Sequence, residues 1–207
     1  MKKIILSALF LAISTVVSAQ DSTINFGVKG GYSLSDMKFY GEKMDSKSYF
    51  YAGIVAEHSL SSKFGLQAEV LYTQLGGSTV FEGAQLIGNE IVNKNDMKFE
   101  YKLNQIQVPV SVKYYFVPAF SASVGMNFGF NISSKTKADT TFGEVSSDNA
   151  EGIKTLNLFP FLGAEYKIND KFFVDARYNF NFFEANKTNA VPTKIGFLQA
   201  GVGYRFN

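Results

Sequence analysis

Apolar and polar residues alternate with a period of two along most of this chain, which is the signature of strands with one face in each environment. Eight such segments can be marked off: Ile24 to Leu34, Tyr49 to Leu60, Phe64 to Leu75, Lys98 to Phe116, Phe120 to Ser133, Thr155 to Ile168, Lys171 to Phe183 and Ile195 to Phe206. The connections sort by length. Ser61-Ser62-Lys63, Val117-Pro118-Ala119 and Asn169-Asp170 are tight turns, whereas 35–48, 76–97, 134–154 and 184–194 are long and polar, and long and short strictly alternate. Such alternation predicts an all-β, eight-stranded antiparallel up-and-down transmembrane β-barrel, with short turns at the periplasmic end, four long extracellular loops, and both termini periplasmic.

The two faces of each segment differ in kind. In the seventh, Phe172, Val174, Ala176, Tyr178, Phe180 and Phe182 share one face, while Asp175, Arg177, Asn179 and Asn181 share the other, with Phe173 a bulky exception on the polar side. The fifth sets Ala122, Val124, Met126, Phe128 and Phe130 against Ser121, Ser123, Gly125, Asn127 and Gly129. A soluble barrel or sandwich alternates too, so the period alone does not decide. Two features favour the membrane. The face rich in Gly, Ser, Asn and charge suits a narrow lumen, whereas a soluble ligand-binding barrel turns its apolar face inward. Aromatic residues also gather at two levels, as interfacial girdles require: Tyr114, Phe116, Phe120, Tyr166, Phe172, Tyr204 and Phe206 toward the short turns, and Tyr49, Phe50, Tyr72, Phe180, Phe182 and Phe183 toward the long loops.

Composition sharpens this picture. The chain has 21 Phe, 11 Tyr and 18 Gly against 4 Pro, which suits long antiparallel strands. Met1-Lys2-Lys3, the apolar run from Ile4 to Val17 and the small residues Ser18-Ala19 read as a signal peptide over 1–19, leaving a barrel domain over 20–207. No later apolar run is long enough for a spanning helix. With Lys2 and Lys3 removed from the 20 basic residues, 18 remain against 18 acidic, so charge offers no case for a nucleic-acid partner. The chain contains 0 Cys, and disulfides cannot contribute to the fold.

Gly27-Val-Lys-Gly-Gly-Tyr-Ser-Leu-Ser-Asp-Met37, Gln107-Val-Pro-Val-Ser-Val-Lys-Tyr-Tyr-Phe116, Val174-Asp-Ala-Arg-Tyr-Asn179 and Gly201-Val-Gly-Tyr-Arg-Phe206 resemble the strands of an outer-membrane β-barrel family common in Bacteroidetes, the porin-like or PorT-like proteins. The resemblance implies a barrel in the outer membrane and specifies no activity. Phe206 resembles the closing aromatic by which the barrel-assembly machinery recognises its clients, although Asn207 follows it.

Candidate chemistry is sparse. The one histidine, His58, falls beside a short turn on the face of Ala52, Ile54 and Ala56, with no partner constellation, and is expected to be an interfacial rather than a catalytic side chain. Asp96, Asp139, Glu144, Asp148 and Glu151 lie in long loops among lysines, and their spacing matches no calcium loop. Gly27-x-x-Gly30-Gly31 is followed by no helix, so no phosphate cradle is expected. The sharper set is the charge on the polar face: Lys29, Glu57, Glu69, Lys113, Glu165, Lys167, Asp175, Arg177 and Arg205. Five bases and four acids permit near-complete pairing inside a lumen, either as a salt-bridge network filling it or as the lining of a narrow conduit. Asp175 and Arg177, two apart on one strand, are expected to be partners, with Glu165, Lys167 and Arg205 in reach. The sequence therefore predicts a non-enzymatic outer-membrane barrel without cofactor or metal, in contact with outer-membrane lipid. Its role would be structural or in surface interaction. The alternatives are a narrow passive channel or an accessory barrel of a secretion system.

Overall fold

The structure, a computed structural model, describes residues 24–39, 41–81, 84–87, 90–93, 97–140, 143–148, 154–185 and 192–206. Eight long strands form its wall: β1 (Ile24–Phe39), β2 (Asp45–Ser59), β3 (Phe64–Phe81), β4 (Met97–Val117), β5 (Phe120–Thr140), β6 (Leu156–Lys167), β7 (Phe172–Asn179) and β8 (Thr193–Arg205). Each pairs antiparallel with its chain neighbours, and β8 returns to pair with β1 from Gly27↔Arg205 to Phe39↔Thr193. The ring is closed, and among the described residues the ladder is unbroken from the short turns up to the level of Asn179, the condition for a sheet in hydrocarbon.

The strands differ from the expected segments at the long-loop end. Residues 35–39, 45–48, 76–81 and 134–140 were expected in loops but continue β1, β2, β3 and β5. Within the expected third loop, Gly143–Asp148 is a further strand that pairs with β5 from Lys135 to Thr140. Within the second, Ala84–Ile87 and Glu90–Asn93 form a separate hairpin. Apart from that hairpin and the inward Met37, these segments are mostly polar or small, so the period-2 signal fades although the backbone ladder continues. The seventh strand errs the other way. It stops at Asn179 rather than Phe183, because Phe180 N–H donates to Pro160 O at 2.8 Å and Pro160 has no N–H to return.

Outward positions carry the apolar residues, among them Val28, Ile54, Val110, Val124, Leu162 and Val202, all exposed on the wall. Aromatic rings meet along the short-turn rim, where Tyr114–Phe116, Phe116–Phe120 and Phe172–Tyr204 have centroids 5.0, 5.8 and 5.0 Å apart. A second level near the long loops carries Tyr32–Phe50 at 4.6 Å and Phe180–Phe182 at 5.2 Å. Tyr49, expected at that rim, is instead buried, its ring 5.9 Å from Lys102 Nζ. The inner face is less uniformly polar than the pattern suggests. Phe159, Phe161, Phe173 and Phe197 point inward, and glycines make room for them: a Cβ on Gly203 would collide with the Phe173 ring, and one on Gly125 with Phe161.

Candidate functional site

Three layers fill the lumen, set by position along each strand from the short turns upward. The lowest is ionic. Toward the short-turn end of β2, β4, β6 and β8, the inward residues Glu57, Lys113, Glu165 and Arg205 are all buried. Lys113 Nζ lies 2.7 Å from Glu57 and 2.9 Å from Glu165, while Arg205 Nη2 lies 2.7 Å from Glu57 and 2.6 Å from Glu165. Each carboxylate meets both cations, so two acids and two bases form a neutral quartet. The Tyr115 hydroxyl donates to Glu57, and Arg205 stacks 4.2 Å from the centre of the Phe173 ring.

A second quartet joins β1, β3 and β7. Arg177 Nη2 lies 2.6 Å from both oxygens of Glu69, and Lys29 Nζ reaches Asp175 at 2.5 Å and Glu69 at 3.5 Å. Asp175 and Arg177 also contact each other, at 3.5 Å, but their shorter bonds run to β1 and β3. Glu165 does stand directly opposite Asp175 in register, but its ion pairs, like those of Arg205, fall in the first quartet. Gln67 spans the two sets, its amide donating to Glu69 and its carbonyl accepting from Lys113 at 3.0 Å. Eight of the nine inward charges are thus in ion pairs. The ninth, Lys167, is half-buried at the turn end with its Nζ 4.9 Å from the centre of the Tyr115 ring, and has no ion pair among the described residues. Buried charge in a poorly hydrated lumen is tolerable only when paired in this way.

Above the charges sits a layer of amides that period-2 reasoning did not single out. Gln107 carbonyl accepts from Asn127 at 3.1 Å and from Gln199 at 3.2 Å, and the Asn127 amide also donates to Asn179 at 3.1 Å. Above these, Met37, Leu75, Leu103, Phe159, Ile195 and Phe197 pack as an apolar plug joined by Met44 and Ala185 from the loops. No sequence signal marked this plug, since isolated apolar residues on a polar face look like noise until the opposite walls bring them together. A void of about 10 Å³ beside Glu69, Lys113, Glu165, Asp175 and Arg177 has room for roughly one water molecule.

The other candidates stand apart from this set. His58 pairs in register with Ile24 and Leu66 on the outward face, half-buried. Asp139 is exposed and Asp148 lies 3.8 Å from Lys135, whereas Asp96, Glu151 and the Glu144 side chain fall outside the described residues. Among the described residues no three His, Asp or Glu side chains converge as a metal ion would need. Gly27, Gly30 and Gly31 lie within β1.

The architecture matches solved outer-membrane barrels. Ail, the attachment invasion locus protein of Yersinia pestis, is 20% identical, with a TM-score of 0.50 over 88% of this chain and 99% of that one. Neisserial surface protein A, NspA, is 17% identical, with a TM-score of 0.52 over 87% of this chain and 97% of its own. At these identities the likeness speaks for the fold. No curated protein sequence matches the chain. The model of the outer membrane protein beta-barrel domain matches residues 18–185. With that match covering most of the sequence and the closed eight-stranded ring beneath it, this chain belongs to the outer membrane protein β-barrel domain family and is a protein of the bacterial outer membrane.

Proposed function

We propose that this protein is a non-enzymatic outer-membrane barrel whose lumen is closed to solutes and whose role is structural or in surface interaction, exerted through the loops at the long-loop end. The observation that carries this reading is the filled lumen: charge quartets, amide layer and apolar plug are stacked on one path through the barrel. An eight-stranded barrel encloses a space that side chains can fill, whereas aqueous channels need many more strands. The single histidine lies on the outer wall, with no acid or nucleophile system around it among the described residues, which supports a non-enzymatic reading. Ail and NspA are by name an attachment protein and a surface protein, which agrees with loops as the working part.

The same reading takes 1–19 as a signal peptide, the long loops as extracellular, and the barrel-assembly machinery as the partner in biogenesis. Purified protein in planar bilayers should show no steady conductance, and a stable level above about a few hundred picosiemens would replace the plug with a channel. Cysteine at Ser147, exposed in the strand Gly143–Asp148, should react with an impermeant thiol reagent on intact cells, while cysteine at Ser62 in a short turn should not. Labelling of Ser62 alone would invert the orientation.

A further inference from the structure

The outer wall carries lysines in an arrangement that the barrel itself does not need. On β4 the outward residues run Phe116, Tyr114, Val112, Val110, Val108, Ile106, an apolar crossing that fits the nine to eleven tilted residues of a membrane strand. Next comes a hydrogen-bonded polar row. Gln74 on β3 donates to Asn104 at 2.9 Å, and Asn104 donates to Ser133 on β5 at 2.8 Å. One row further up, Lys102 stands directly opposite Lys135.

Another part of the wall repeats the pattern. The outward residues of β1 and β8 end their apolar run at the pair Leu34↔Leu198, and four residues on Lys38 stands directly opposite Lys194. Lys102 is likewise four residues beyond Ile106. At about 3.3 Å per residue and a tilt near 40°, both rows lie roughly 10 Å past the last apolar row, from which lysine side chains reach headgroups.

Like charges directly opposed on antiparallel strands destabilise the pair unless something neutralises them. The barrel supplies little. Lys38 and Lys102 form no ion pair among the described residues, Lys102 Nζ having only the Tyr49 ring at 5.9 Å, Lys135 reaches only the exposed Asp148 at 3.8 Å, and Glu184 flanks Lys194 through a backbone bridge. Nearby Asp36 and Glu100 are turned to Lys43 at 3.7 Å and Lys47 at 2.7 Å. A doubled cation at headgroup depth, occurring twice, calls for an anion in the membrane surface itself.

We propose that the rows Lys38/Lys194 and Lys102/Lys135 are binding sites for phosphate-bearing lipid headgroups in the leaflet at the long-loop end. The ligand is a lipid phosphate rather than a free one, because each row sits directly above the apolar wall on which the acyl chains of the same molecule would lie.

The test is lipid retention in native mass spectrometry, with protein reconstituted in phosphate-free galactolipid containing a minor fraction of phosphatidic acid. Wild-type protein should retain phosphatidic acid over galactolipid by at least severalfold. Lys38→Gln/Lys194→Gln and Lys102→Gln/Lys135→Gln should each lose about half of the retention, and the four changes together nearly all of it. Replacing the four lysines by arginine should preserve it. Heat-modified gel mobility reports whether each variant is folded. If the fourfold variant does not fold, the two double variants and the loss of retention by the wild type in high salt decide the matter. Retention unchanged by the glutamine substitutions would overturn the proposal. So would equal retention of both lipids, or displacement of phosphatidic acid by millimolar inorganic phosphate, which would make the site one for free anion.

Discussion

Removing Arg177 should reveal that the lumen charges work as two separate neutral sets. In Arg177→Met, Glu69 loses the guanidinium nitrogen that sits 2.6 Å from both of its oxygens. Lys29 remains at 3.5 Å, but it is already held at 2.5 Å by Asp175, so two carboxylates are left to share one cation. At an effective dielectric constant near 20, the direct attraction lost at this separation is on the order of 6 kcal/mol. Relief from desolvating the guanidinium offsets part of it, leaving a net destabilisation of about 3–5 kcal/mol. Glu69→Gln should cost a similar amount for the opposite reason, since Arg177 then keeps only Asp175, at 3.5 Å. The double variant removes one charge of each sign and leaves the Lys29–Asp175 pair neutral. Its cost should fall short of the sum by about 2–3 kcal/mol. Arg177→Met combined with Glu57→Gln crosses between quartets and should be additive within about 0.5 kcal/mol, apart from what Gln67 transmits. Urea unfolding in lipid vesicles, followed by circular dichroism because the chain has 0 Trp, measures all of these. Additivity within the Glu69–Arg177 cycle, or equal coupling across the quartets, would refute the division into two neutral sets.

Two further outcomes follow from the same geometry. The exchange Asp175→Arg with Arg177→Asp should not restore stability, because it sets an arginine beside Lys29 and an aspartate beside Glu69; recovery to wild-type unfolding midpoints would show that the two residues are each other's main partners after all. Val110→Arg or Val202→Arg on the exposed outer wall should cost about 2–4 kcal/mol in lipid, and a harmless substitution there, measured by the same unfolding assay, would mean that the faces have been assigned the wrong way round.

Much of the barrel is written locally in the chain. A strand turns successive side chains to opposite faces whatever it is paired with, so Asp175 and Arg177 could be placed inside and Val174 and Ala176 outside from sequence alone. The same logic placed the remaining lumen charges inward and found the three short turns. It faltered where the local signal is weak or shared. The extensions of β3 and β5 are mostly polar or small and carry little alternation, yet ladder bonds to neighbours hold them as strands. The end of β7 depends on Pro160, a residue of β6 nineteen positions before Asn179, and becomes visible only once the two strands are side by side.

The sequence by itself thus determined the number of strands, their alternating faces and the membrane they cross, because period, turn length and aromatic placement are properties of short stretches. Only the tertiary structure decided which charge meets which. Closure of β8 on β1 and the tilt of the strands shift each wall in height against the one opposite, so Arg177 finds Glu69, 108 residues away, rather than its neighbour on the same strand. The apolar plug arises in the same way, from Met37, Leu75, Leu103, Phe159 and Phe197, inward apolar positions on five different strands that become a core when the ring brings them to one level.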